Sequence, residues 1–215
     1  MKKSSTEPVG EKKTAVDSNR RKTKDLFRKK QERIIKKATK LFMKKGYAQS
    51  SMREISKVTG IDISNLYYFI KSKEEILFLA FDMLHGPAAD LFEKHGIFDI
   101  EDPELQLRTA IRELARINYE NRDEILFFYR ESKALPKKSL KVILERESRL
   151  VGHFEAILKK LAENRTLNVD DRSFAANMIV YQSSFYPLRN WNLGKYSKEE
   201  VMDLMEKTIM KTIVG

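Results

Sequence analysis

Residues 46–77 read "GYAQSSMREISKVTGIDISNLYYFIKSKEEIL", and this stretch decides the fold. Gly46, after Lys44 and Lys45, stops a helix in which Ile34, Ile35, Ala38, Leu41 and Phe42 recur at helical spacing with lysines on the other face. Ser51 with Glu54 three residues on is a capping box, so a short second helix starts there. Met52, Ile55 and Val58 form its expected buried stripe and Gly60 closes it. Asp62 or Ile61 begins a third helix with Ile63, Leu66, Tyr67 and Ile70 on one face, and Ser72 caps a fourth that starts at Lys73. The adjacent Tyr67, Tyr68 and Phe69 are more aromatic surface than one short helix can bury. Some of it must serve something other than the core.

Outward from this stretch the pattern stays helical. The fourth helix runs through Ile76, Leu77, Ala80, Phe81 and Leu84 and is expected to break or kink at Gly86-Pro87. Asp102-Pro103 opens another, to about Tyr119. "DEILFFYRESKAL" makes a short aromatic helix ended by Pro136, and Leu140 to Leu161 mark a long amphipathic one. "SFAANMIVYQSSFYPLRNW" and "SKEEVMDLMEKTIMKTIV" supply the last two. With no alternating strand pattern, the chain is predicted to be all-α, with about nine helices.

Charge is unevenly placed. Residues 1–45 hold 17 Lys and Arg against 5 Asp and Glu, whereas the rest of the chain is nearly balanced. Such an arm and first helix suit a polyanion, either a duplex or an anionic membrane; a solvated, disordered basic tail is the plain alternative for residues 1–25. There is no cysteine, so disulfides, thiolate metal sites and cysteine nucleophiles are excluded. No apolar run approaches the length of a membrane span, and the lysine-bearing N-terminus lacks a following apolar core, so a cytoplasmic protein is expected.

Two short helices joined at Gly60 meet the requirements of a helix-turn-helix, in which the first lies across phosphates and the second enters the major groove. A generic helix pair has the same periodicity. Here the residues themselves are informative: the glycine-aromatic end of the first helix, the Ser-capped second, Gly-Ile at the turn, Leu-Tyr with two further aromatics, then Lys-Ser-Lys-Glu-Glu. This resembles the N-terminal domain of the TetR family of bacterial transcriptional regulators, over about 50 residues from Gln31 to Leu84. Ile70, Ser64 and Asp62 stand where phenylalanine, glycine and serine are common in that family.

Residues 1–25, with Ser, Thr, Gly, Pro and Lys and almost no apolar periodicity, are expected to be a disordered basic arm; the resemblance implies a DNA-binding domain (26–72) and a ligand-binding and dimerisation domain (73–215). It implies that Ser51 caps and touches a phosphate, that Arg53 reaches a base or phosphate, and that Ile63, Ser64 and Asn65 read the bases. Asn65 could bond adenine bidentately. Tyr67 would donate to a phosphate, Lys73 would clamp a second one, and Tyr68 and Phe69 would lie near the backbone or core. The last two helices would build a homodimer interface, with Phe174, Met178, Tyr181 and Phe185 on one and Val201, Met205, Ile209 and Ile213 on the other.

The C-terminal half is similar, more weakly, to acyl-CoA-responsive members of that family, through "YRESKALP" and "LRNWNLGKYSKEEV". Phe127, Phe128, Tyr129, Phe154, Tyr181, Phe185, Tyr186 and Trp191 are candidates for a pocket taking a small hydrophobic effector, although such residues also build plain core. Arg130, Lys133, Arg146, Arg149 and Arg189 could meet the phosphates of an acyl-CoA, or be solvated or paired with Glu131, Glu145 and Glu147. His85, His95 and His153 share no metal-ligand spacing, and no nucleophile motif or phosphate-cradling loop occurs, so neither an enzyme nor a cofactor is expected. The reading is a ligand-responsive regulator, with an effector-independent architectural DNA binder of the same fold as its rival.

Overall fold

The computed structural model describes residues 10–214, without the side chains of residues 10–19, 85, 87 and 89. Contacts divide the chain into two compact units, one ending at Ile76 and the other beginning at Leu77. The described residues form eleven α-helices and two short 3-10 turns, with no strand.

The first unit contains α1 (Gly10–Lys45), α2 (Met52–Thr59), α3 (Ile63–Phe69) and the start of α4 (Lys73–Ala89). Ile34, Ile35, Ala38 and Phe42 of α1 are buried together with Ile55, Leu66, Ile70 and Ile76, so each helix contributes at least one fully enclosed aliphatic residue. The expected caps are all present. Ser51 and Glu54 close the capping box, Asp62 accepts from the Asn65 N–H at 3.0 Å, and Ser72 accepts from the Glu75 N–H at 3.2 Å. Gly60 ends α2 at φ +71°, the left-handed conformation that favours glycine, and its N–H reaches the Ser56 and Lys57 carbonyls.

Three expectations are corrected here. Helix α1 starts at Gly10, not near 26, so residues 10–25 are helical where a disordered arm was expected; residues 1–9 lie outside the described residues. Residues 20–26 are all exposed, so this part of the helix rests on propagation from the packed segment and not on burial. In α2, Val58 is exposed and Thr59 takes the buried position, its hydroxyl donating to the Ile55 carbonyl at 2.7 Å. Gly86-Pro87 does not interrupt α4, which continues to Ala89, and the Asp90 N–H bonds the Gly86 carbonyl at 3.0 Å. The missing proline N–H removes only one bond of the ladder.

The second unit adds α5 (Leu91–Lys94), α6 (Pro103–Glu120), α7 (Arg122–Glu131), α8 (Lys137–Asn164), α9 (Arg172–Ser183), α10 (Phe185–Leu193) and α11 (Lys198–Val214). Helix α6 is its central element: Leu107, Ala110, Ile111, Leu114 and Ile117 are buried where α6 meets α8, α9 and α11. At the margin of this face α6 carries Arg108, Arg112 and Arg116, paired with Glu104, Glu206, Asp203, Glu113 and Glu120. The helix count exceeds nine because of the one-turn α5 and because the expected eighth helix is two, α9 and α10. Pro187 in an unbroken helix would leave the Ser183 carbonyl without a donor and crowd it. A break at Ser184 puts the proline in the first turn of α10, where its missing N–H costs nothing.

Leu66 tests the first unit most directly, being wholly buried on the short α3. Leu66→Ala is expected to destabilise it by about 2 to 5 kcal/mol, read from urea unfolding followed by amide exchange in residues 46–76.

Candidate functional site

The first candidate surface is the outer face of α3. Leu66 and Ile70 point inward, while Ile63, Ser64, Asn65, Tyr67 and Tyr68 are exposed; Tyr67 and Tyr68 are 49% and 73% accessible. Ile63 and Tyr67 thus do not share one face with Leu66 and Ile70, as the periodicity suggests, but lie on the exposed side where the resemblance places them: with seven residues, α3 has room for only one inward turn. Asn65 is exposed but engaged, its side-chain amide donating to Asp62. The Asn65 backbone N–H and that amide hold the Asp62 carboxyl below its usual range. Arg53, on α2, is exposed and has no ion pair or hydrogen bond among the described residues.

Other predicted contacts are already committed within the unit. The Ser51 hydroxyl donates to Glu54 at 2.9 Å and accepts from its N–H at 3.3 Å. The bond from Lys45, and then those from Ser51, lower the Glu54 carboxyl. The Phe69 ring lies 5.0 Å from that of Phe27 on α1, with the Lys30 ammonium also 5.0 Å from its centre, so it packs against α1 and does not face outward. Tyr68 meets Phe27 edge-on at 5.7 Å while keeping most of its surface open.

Lys73 departs furthest from expectation. Its ammonium donates to the Tyr47 carbonyl at 2.9 Å and the Ser50 carbonyl at 3.0 Å, approaches that of Ala48 at 3.5 Å, and sits 4.3 Å above the Tyr47 ring. It ties the turn between α1 and α2 to the start of α4. Lys37 and Gln31, which the sequence did not single out, act alike on the ends of α2 and α3, donating to the carbonyls of Thr59 at 3.3 Å and Phe69 at 3.0 Å.

The second candidate region lies inside the second unit. A cavity of about 50 Å³ is walled by Leu84, Leu114, Ile117, Ile125, Phe128 and Val180, and four polar groups face it: Asn118, Tyr129, Glu147 and Ser184. Asn118 donates to the Ser184 hydroxyl at 3.3 Å. Burial, then the charge of Glu147, raises the Tyr129 phenol, and Ser184 offsets part of this. Burial alone raises the Glu147 carboxyl. A separate, open apolar groove of about 410 Å³ runs along α10 and α11 past Phe185, Tyr186, Leu193, Val201, Leu204 and Met205.

Of the predicted aromatic ligand residues, Phe128 and Tyr129 line the interior cavity and Phe185 and Tyr186 the groove. Phe127 and Phe154 are core: Phe127 packs on Phe81 at 5.5 Å and Phe154 on Phe92 at 5.6 Å. Tyr181 and Trp191 are exposed, with Arg189 stacked 4.8 Å over the indole. Arg130 and Arg149 are exposed and line neither space, and Arg146 is held by Asp82 at 2.6 Å. Glu147, expected as a surface partner of arginines, is instead turned inward. Its register with Ile143, Leu150 and Phe154 is the signal that marks it.

Comparison with known proteins agrees with this division. The family described as "Tetracyclin repressor-like, C-terminal domain" matches residues 101–213, more than half of the chain, and "Bacterial regulatory proteins, tetR family" matches residues 34–80. The chain belongs to the TetR family. The N-terminal match covers the buried part of α1, all of α2 and α3, and the start of α4; the C-terminal match covers α6 to α11. This TetR-family chain is 23% identical over 190 residues to the HTH-type transcriptional regulator HbdR of Aromatoleum sp. (strain CIB), spanning 84% of the chain and 81% of that relative.

Its fold is shared with PfmR, a TetR family transcriptional regulator from Thermus thermophilus. There the TM-score is 0.72 at 24% identity, over 83% of this chain and 97% of the other. It is likewise shared with AibR in complex with isovaleryl coenzyme A and operator DNA, with a TM-score of 0.69 at 21% identity, over 83% of this chain and 97% of the other. A family of transcriptional regulators with a DNA-binding helix-turn-helix is thus established, and it is not a family of enzymes. No helix among the described residues is long and apolar enough to cross a membrane.

Lys73→Met keeps the alkyl stem and removes the donors. The three carbonyls of the turn then lose a charged partner, and the first unit is expected to lose about 1 to 2 kcal/mol, with faster amide exchange in residues 46–51. The salt dependence of DNA binding should stay as in the wild type if Lys73 acts on the turn. Loss of about one unit of slope for each bound protomer would assign it to a phosphate instead.

Proposed function

We propose that the chain is a homodimeric, ligand-responsive repressor that binds a palindromic operator in the cytoplasm and is released by a small effector with an apolar body. The observation that carries this reading is the outward face of α3, where Ile63, Ser64, Asn65 and Tyr67 are exposed on a helix whose other side is locked by Leu66 and Ile70. Ser64 and Asn65 supply the polar groups for base edges, Ile63 an apolar surface for a thymine methyl, and Arg53 and Tyr67 donors for phosphates. Asn65 must exchange its bond to Asp62 for one to a base, which links base reading to the helix cap.

Dimerisation through α9 to α11 is supported by the exposed Phe174, Met178, Tyr181, Phe185 and Leu204 and by the apolar groove beside them. Two recognition helices about one helical turn apart then face successive major grooves. AibR is described with isovaleryl coenzyme A and operator DNA, which makes a short acyl-CoA the first effector class to test. The exposed Arg130, Arg149 and Arg189 are the cations available to its phosphates. In this mechanism the effector shifts α4, which carries Lys73 at its start and Leu84 further along. The small size of the interior cavity favours the second reading, an architectural binder without effector. Saturable release of operator DNA by a small molecule separates the two.

With Arg53 the cation of this face that neutralises a phosphate in each protomer, log affinity is expected to fall against log salt with a slope of about −2 for the dimer, steeper by about one for each further cation of α1 that meets a phosphate, measured by anisotropy on a selected palindrome. Tyr67→Phe should weaken all duplexes alike, whereas Asn65→Ala should relax discrimination at one base pair by about 1 to 3 kcal/mol. A slope near zero would sink the reading.

Association is tested separately. Phe174→Glu with Tyr181→Glu is expected to give a folded monomer by sedimentation and to lower operator affinity about tenfold or more, because the two heads no longer bind together.

A further inference from the structure

Glu147 occupies a place where the fold asks for an aliphatic residue. Ile143, Leu150, Phe154, Ile157 and Leu161 make the buried stripe of α8, and Glu147 falls in that register, facing the interior cavity. Among the described residues its carboxylate has neither a cation nor a hydrogen-bond donor. The nearby charges along α8 are turned elsewhere: Arg146 pairs with Asp82, Lys141 with Glu145, and Arg149 is exposed. Of the other polar groups of the cavity, Asn118 donates to Ser184 and Ser184 to Tyr129, while the Tyr129 hydroxyl makes no hydrogen bond to Glu147 among the described residues. The result is an acceptor with no donor, beside a polar cluster, at the edge of a space walled by leucine, isoleucine, valine and phenylalanine.

Glu147 is half-buried, so its carboxylate is only partly hydrated, and a donor that reached it in the cavity would replace the water it has given up. The cavity's volume of about 50 Å³ limits what that is. A bound water needs roughly 10 to 15 Å³, so about four small groups fit, far fewer than a drug-sized ligand presents.

We propose that this cavity binds the tip of the effector, a short aliphatic group bearing a hydrogen-bond donor, a hydroxyl or a protonated amine, which donates to the Glu147 carboxylate. Asn118, Tyr129 and Ser184 orient the donor, and the apolar wall takes the carbons. The proposal rests on the effector reading above and narrows it: an unsubstituted acyl chain leaves Glu147 without a partner, and a long one does not fit.

The test uses the full chain and three acyl groups of matched length, butyryl, 3-hydroxybutyryl and 3-aminobutyryl, each as a coenzyme A thioester and as an N-acetylcysteamine thioester. Binding is measured by calorimetry, and thermal melts confirm that each variant is folded. The wild type is expected to prefer the hydroxyl or the ammonium tip over butyryl by about tenfold on both carriers, the direction expected when a polar group of the site gains its partner. Glu147→Leu should abolish that preference. Glu147→Gln, close in shape, should keep the hydroxyl preference and lose the ammonium one, and it carries the test if the leucine variant does not fold. The two tips distinguish an alcohol from an amine; the two carriers show whether coenzyme A itself is recognised. Equal affinity for all three tips, a preference that survives Glu147→Leu, or no binding of any thioester overturns the proposal. Operator binding by the same preparations reports on the regulator reading independently, since Glu147 takes no part in it.

Discussion

Helix ends expose carbonyls that no residue of the same helix can satisfy, and the first unit is organised by how it closes them. Lys37 and Gln31, both on α1, donate to the last carbonyls of α2 and α3, and Lys73 donates to the turn that precedes α2. Each bond joins elements distant in sequence, and each donor lies at the end of a helix or turn where carbonyl dipoles accumulate. Hydrophobic burial of Phe42, Ile55, Leu66 and Ile70 supplies the cohesion but is tolerant of rotation. The directed bonds fix the angles of α2 and α3 on α1, and hence which residues of α3 face out.

Most of this was legible in the sequence because caps are local. Ser51 with Glu54, Asp62, Ser72 and Asp102 each announce a helix start through chemistry contained within four residues, and each is found capping. What was not legible depends on partners far along the chain. Lys73 looks like a free cation at a helix N-terminus until the turn 26 residues earlier is brought beneath it. Val58 and Thr59 exchange places because a threonine can satisfy its own hydroxyl on the Ile55 carbonyl and so tolerate burial at the end of a short helix. Tyr67, Tyr68 and Phe69 take three different environments, open surface, margin and packing on Phe27, and only the structure reveals Phe27 as the partner.

In the second unit residue type misleads where register does not. Aromatics at Phe127 and Phe154 suggest a pocket and turn out to fill the core, whereas the polar groups around the cavity are an asparagine, a tyrosine, a glutamate and a serine scattered along the chain. Helix α6 shows why. Its apolar residues meet α8, α9 and α11, and its arginines pair with acids at the margin, Asp203 and Glu206 of α11 among them, so its one buried asparagine near the C-terminal end is conspicuous only once the facing residues are known. Register along α8 flags Glu147 where composition does not.

The indole of Trp191 gives the second unit an optical property of its own. It is the only tryptophan in the sequence, it is 76% accessible, and a guanidinium is stacked on its face. Its emission therefore arises from a single water-exposed ring, close to the long-wavelength limit for indole, and reports on the neighbourhood of α10 alone. Anything that covers this helix, whether a second copy or a bound molecule, would move that one band to shorter wavelength without any label having to be attached.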